Sequence, residues 1–496
     1  MQITHIRTTA VNPCTLVFAL FALIMPHAHA VSPEAVSQVI DRMTAAYGGR
    51  ALQELASISS YADRRLAWPG QGQTSAFVEY VHDRQLKHFD LKSRQGSVER
   101  WIDQNGNVYH NRYVVDQSGG AVIDYFEMSV ERNEAAFFDF FSSDYRSSDT
   151  LLAHLLTTAT PDIDQHEQTV YRGEVFDVLS FQIVPETQVI NAFVSRESGL
   201  IKRISMDQSI GTVNMIFDVF KTVDGVTYGS EMRAYLNDTL VEYATGITLE
   251  VNSISSEQIA VEDSLSEPAP TFDQSEMTVD ALGDGVFHVG REDYSLFVRH
   301  NERWIVINGF EGIAERVAAA NEHIGEALEV SHVVYTHHHG EHINGIDEAI
   351  TLGAVLIISP ETEEALKQER SDYEVLDTLV VENNTTIGPL KFLLASTSHA
   401  SDIVFVYAVS AKTLYQDGHY HALRVEGPSR IQPTASELYA VLLESGLDIR
   451  FIVSGHAKHA ERWDTFEEGI QTQDAMNTCP SGRAICRDTS ARTNNS

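Results

Sequence analysis

Residues 336–342 read Thr-His-His-His-Gly-Glu-His, and Ile343-Asn344-Gly345 follow. Imidazole nitrogens and carboxylate oxygens are the usual donors for divalent metals. The preceding run, Ser331 to Tyr335, carries Val333, Val334 and Tyr335 and reads as a buried strand. In an extended backbone alternate side chains share a face. His337 and His339 therefore point at one spot, and His338 points away. A turn at Gly340 brings Glu341 and His342 in from another side. Histidine runs also occur on surfaces and in tags. Tags sit at termini, whereas this run follows an apolar strand deep inside the chain.

Further donors follow in order: Ser398-His399 after Leu393-Leu394, Asp417-Gly418 after Thr413-Leu414-Tyr415-Gln416, and Gly455-His456 after Phe451-Ile452-Val453-Ser454. Each stands where an apolar strand ends and a loop begins. Rigid strands then aim the ligands, and loops leave room for a substrate.

The ordered set His337, His339, Glu341, His342, His399, Asp417 and His456 resembles that of the metallo-β-lactamase-fold hydrolases, over residues of about 276 to 470. The resemblance implies an αββα sandwich with a metal site between the sheet edges. It implies a first ion on His337, His339 and His399, a second on Glu341, His342 and His456, and Asp417 bridging both. Zinc is the expected metal, with iron or manganese as alternatives. Two ions about 3.5–4 Å apart would hold a hydroxide nucleophile, since metals lower the pKa of water to about 7. Glu341 and Asp417 are the catalytic candidates. The family pattern departs at Glu341, where relatives carry Asp, at Asn308, where they often carry Asp, and at Asn344, where they carry Gly. Glutamate reaches one methylene further, so Glu341→Asp is expected to keep or improve the second ion. Asn344 is expected to accept left-handed geometry.

Other polar residues are open to two readings. His419 and His421 could contact substrate or be surface histidines, and His459 is similar. Tyr420 could donate to a developing oxyanion or pack in the core. His288 and His332 read as structural histidines on strands.

The chain of 496 residues is too long for one ordinary domain. Its 43% hydrophobic content is globular, and its net charge of −35 argues against nucleic-acid binding. Arg7, the short apolar run Thr15 to Met25, Pro26 and Ala28-His29-Ala30 read as a signal peptide over 1–30, cleaved after Ala30. A retained anchor is the alternative. Export implies a periplasmic or secreted protein, and no other stretch is long and apolar enough to cross a membrane.

Residues 31–265 read as an antiparallel β-rich domain. Ser32-Pro33 opens a helix closed by Gly48-Gly49, and hairpin signals follow in series at Ser198-Gly199, Asp224-Gly225 and Asn237-Asp238. Phe137 to Phe141 reads as a helix on that sheet or as an exposed lipid-contacting patch. This pattern is similar to periplasmic lipoprotein-carrier half-barrels, which hold apolar cargo. Ser266 to Ser275 reads as a linker, 276–470 as the α+β catalytic domain, and 471–496 as a polar tail in which Cys479 and Cys486 are a disulfide candidate.

Three functions compete at this level. The first is a hydrolase acting on an ester, lactone, amide, thioester or phosphoester of a small molecule. The second is a mononuclear-iron redox or sulfur enzyme of the same fold. The third is a non-catalytic protein binding a lipid-like ligand.

Overall fold

The computed structural model describes residues 32–76, 78–159, 161–184, 188–473, 478–479 and 483–486. The expected signal peptide lies outside the described residues. None of the described helices is long and apolar enough to cross a membrane.

The N-terminal half is built on one antiparallel sheet of thirteen strands. Ser57–Trp68 and Thr239–Val251 pair at its middle. Glu79–Asp90, Gln95–Gln104 and Asn107–Asp116 extend it on one side as successive hairpins. The helix Pro33–Ala46 starts where Ser32 caps it and buries Val36, Val39 and Met43. The helix Phe137–Ser147 packs on the sheet: Phe141 is fully buried, its ring 4.8 Å from that of Phe89. Packing on the sheet is therefore the reading that fits Phe141.

The C-terminal half has two sheets. The first has seven strands, from Thr278–Gly283 to Thr378–Val380, and the second has six, from Thr386–Ile387 to Ala457–Arg462. Strand alternation sorts their side chains. Leu296, Val298, Ile305 and Ile307 face Phe392, Val404, Val406 and Val453 across an apolar inter-sheet core. Phe297, Trp304 and Val306 point the other way, onto Ile313, Ala320, Ala349 and Leu366 of the covering helices. On the far side Phe405, Leu414 and Ile452 meet Leu438, Leu442 and Phe466 of the helices Pro433–Ser445 and Trp463–Gln473. The order is thus helices, sheet, sheet, helices.

The stretches read as linker and tail both make contacts with the rest of the fold. The stretch read as a linker is pinned: Val130 N–H donates to the Ser266 carbonyl, and Phe272 and Val425 exchange backbone hydrogen bonds with Leu423 and Pro270. The tail does not simply trail away. Cys479 and Cys486 form a disulfide, and Ile485 is buried against Tyr61, Trp101 and Val108 of the N-terminal sheet.

Candidate metal centre

Every candidate ligand sits just beyond a strand or on the short turn that follows. Glu329–Val334 leads to His337 and His339, Leu390–Ala395 to His399, Thr413–Tyr415 to Asp417, and Phe451–Ser454 to His456. One helical turn, Gly340–Ile343, carries Glu341 and His342. Gly345 fixes how this turn docks. Its N–H donates to the Gly309 carbonyl at 3.0 Å, and a Cβ there would lie 2.2 Å from the same oxygen. Asn344 is right-handed (φ −67°), not left-handed as its place in the motif suggests. Its side chain accepts from Glu311 N–H at 2.7 Å. The left-handed residue is Asn308, at φ +69°.

Six of the seven residues converge in two groups, His337/His339/His399 and His342/Asp417/His456, with donor atoms within 4.8 Å of one another in each. Glu341 belongs to neither group. One of its oxygens lies 3.6 Å from His342 Nε2, and the other accepts a hydrogen bond from Gln71 at 2.5 Å. Its side chain is 41% exposed, against 1% for His342.

The first group has the donor chemistry of a cation site. His337 Nε2 and His399 Nε2 face each other at 3.2 Å. Thr336 Oγ1 lies 3.1 Å from His337 Nδ1. His339 Nε2–H donates to the Gly72 carbonyl at 3.1 Å, and its buried Nδ1 has no hydrogen-bond partner among the described residues. A buried bare nitrogen is costly unless something electrophilic meets it. His337, His339, His342 and His399 all have basicity depressed by burial first and by neighbouring imidazoles next, with His339 down to about 3. They are therefore neutral, as ligation requires.

The second group is anchored on Asp417. The carboxylate is fully buried and burial pushes it up to about 6, against the pull of His456 and the Gly418 N–H. Asn308 Nδ2 donates to Asp417 Oδ2 and to Tyr415 OH (2.9 Å), and it lies 3.1 Å from His342 Nδ1. Burial opposes charge on His456, but Asp417 and Asp293 outweigh it and raise the imidazole to about 9. The residues present fit divalent cations: neutral imidazoles in one group, and in the other a buried carboxylate whose charge is met by the His456 imidazolium, a place a cation would take on displacing that proton.

A loop of the N-terminal half reaches this centre. It joins the strands Ser57–Trp68 and Glu79–Asp90, which pair up to Trp68 and Glu79. Besides Gln71, it presents the Gly72 carbonyl to His338 Nε2 (2.9 Å) as well as to His339. Gln73 Nε2 donates to the Thr397 carbonyl (2.6 Å), Ser401 N–H donates to the Gln73 carbonyl (2.8 Å), and Ser75 donates to Glu361. His338 is in neither ligand group, and it is only 4% exposed beneath Gly72.

The remaining candidates divide. His419 is buried, not a surface histidine: Nδ1–H donates to the Asp417 carbonyl (2.8 Å), and Nε2 lies 3.1 Å from Thr397 Oγ1. It ties the Asp417 loop to the His399 loop. His421 bonds Ser454 Oγ at 3.1 Å, and its ring lies 5.5 Å from that of His456. It lines a cavity of about 520 Å³ shared with Tyr109, Arg424 and Arg430. Tyr420 packs on Phe466 and donates to Glu461, so it is a core residue. His459 stacks on Phe272, His288 is fully buried between backbone carbonyls, and His332 is half-buried beside Ser331. Sequence reading missed Gln71 and Gly72, since Pro69-Gly70-Gln71-Gly72 carries no signal beyond that of a turn.

The six converging residues keep the order in which the ligand set was read from the sequence. No protein-family model matches the chain. Similar solved structures include a metallo-β-lactamase from Pontibacter korlensis (16% identity, 40% of this chain and 100% of that one, TM-score 0.31). Another is a metallo-β-lactamase from Hirschia baltica (14%, 39% and 96%, TM-score 0.31). A third is the rubredoxin oxygen:oxidoreductase of Desulfovibrio gigas (12%, 39% and 60%, TM-score 0.32).

Proposed function

We propose that the chain is a metal-dependent hydrolase of the αββα class, acting on a small molecule with an ester, lactone, amide, thioester or phosphoester bond. The observation that carries this reading is the convergence of six ligand residues, from four strand ends and the turn after the first, into two adjacent groups. His337, His339 and His399 would hold one cation, and His342, Asp417 and His456, with Glu341 beside them, a second. When bound, such cations supply Lewis acidity and water activated near neutral pH. Zinc suits this donor set, and iron or manganese would also be accepted.

The chain's own residues do the rest. The Gly72 carbonyl holds the His339 proton at Nε2 and keeps Nδ1 free to ligate. Asn308 and Tyr415 orient Asp417 by hydrogen bonding. Glu341, the more open carboxylate, is placed to hold or pass a proton at the Oε1 that Gln71 leaves free. The cavity beside His421 offers space for a small substrate next to the centre.

Export with cleavage after Ala30 belongs to the same proposal. The Cys479–Cys486 disulfide supports an oxidising compartment. Elemental analysis joined to a panel of ester, lactone and phosphoester substrates tests the reading. Chelator-sensitive turnover with bound divalent metal is expected, and a single iron with no hydrolysis would point to redox chemistry instead.

A further inference from the structure

The most unusual feature of the centre is that part of it comes from the other half of the chain. Gln71 is nearly buried, at 9% exposure, and its amide nitrogen reaches Glu341 Oε2 at 2.5 Å across 270 positions of sequence. The loop that carries it is braced. Asn105 N–H donates to Glu79 Oε1 at 2.9 Å, and its side-chain amide nitrogen, turned toward Glu79, donates to Glu79 Oε2 (2.8 Å) and to the Gln71 carbonyl (2.9 Å). Gly106, next along that turn, packs so closely on Ser398, beside His399, that a Cβ would lie 2.0 Å from Ser398 Oγ. Two hairpin tips of the thirteen-stranded sheet therefore seat on the ligand loops.

Glutamate has one more rotatable bond than aspartate and loses more freedom when fixed. A carboxylate that is 41% exposed will not hold one rotamer unaided. Gln71 engages one oxygen and leaves the other 3.6 Å from His342 Nε2, on the side of the second group. Resting on the two-cation reading above, we propose that Gln71 is a positioning residue: through its amide, the N-terminal sheet orients Glu341 toward the second cation position and completes that position. The N-terminal half is then part of the metal centre rather than a separate cargo module.

The test uses the full chain and zinc or cobalt(II) alone. Losing a side chain that hydrogen-bonds a metal ligand costs about 10–100-fold in metal affinity. Gln71→Leu should retain about one cation per chain after dialysis where the native chain retains two. It should lose the weaker cation to a competing chelator at least ten-fold more readily, and it should lose the part of the cobalt(II) absorption due to the second ion. Gln71→Asn, which keeps an amide on a shorter arm, should fall between and guards against a misfolded Leu variant. Ser75→Ala, which loosens the same loop at Glu361, should behave as native. Two cations with unchanged competition in Gln71→Leu would overturn the proposal, as would equal losses in Ser75→Ala. A native chain that binds fewer than two cations would sink it together with the two-cation reading. Two cations without any hydrolysis would leave it standing and remove only the hydrolase assignment.

Discussion

The carbonyl of Gly72 accepts a hydrogen bond from His339 Nε2 at 3.1 Å, although 267 positions separate the two residues. A carbonyl can only accept, so the proton sits on Nε2 and Nδ1 is left as a bare electron-pair donor. Removing the imidazole removes that donor. His339→Ala should abolish metal-dependent turnover and cut metal content by at least one ion per chain. Far-UV circular dichroism should stay native, because the thirteen-stranded sheet does not depend on this side chain.

Glu341→Asp reverses an expectation drawn from the motif alone. By family pattern the shorter acid should keep or improve the second ion. In the fold, Gln71 meets the longer side chain at 2.5 Å, so the pocket is built around glutamate. Aspartate would fall short of either Gln71 or the cation. The variant should show weaker second-ion retention by elemental analysis, and gain of metal would contradict this account.

Asn308 donates to Asp417 in a fully buried setting. Asn308→Asp would set two carboxylates against each other there. In chelator the variant should lose stability on the order of 3 kcal/mol. Added zinc should recover much of that loss, since a cation offsets the repulsion. Thermal melts with and without zinc measure the difference, and equal losses in both would count against a cation site at Asp417.

Asp149 gives a pH dependence far from the metal centre. Burial pushes it up to about 6, against hydrogen bonds from Tyr47 OH (2.8 Å) and Gly229 N–H (2.9 Å). The folded chain therefore holds this proton more tightly than the unfolded chain, whose carboxyl titrates near pH 3.9. Its contribution is most favourable below about pH 4 and falls by about 2–3 kcal/mol as pH rises to about 6, then levels off. Asp149→Asn should lack this slope. Denaturant midpoints of both chains across pH 4–7, taken as a difference, check it.

Much of the centre was legible in the sequence because each ligand lies in a short motif beside an apolar strand. His337, His339, His399, Asp417 and His456 each follow a run whose burial is evident from composition. The pair Gln71–Glu341 was not legible, since it depends on where a hairpin of one half lands on a loop of the other. His419 looked like a surface residue from its polar neighbours, but tertiary contacts with Thr397 and the Asp417 backbone bury it. The helix Pro33–Ala46 and the hairpins followed from caps and turn residues. The return of Ile485 to the N-terminal sheet did not, because the few apolar residues scattered in a polar tail have no periodicity to read.

The most direct test is the metal content of the purified, dialysed chain, counted per polypeptide by elemental analysis beside a His337→Ala/His399→Ala double variant. Two divalent ions in the native chain and at most one in the variant are predicted. A native chain that holds no divalent ion, or a variant that holds as many as the native chain, would contradict the account.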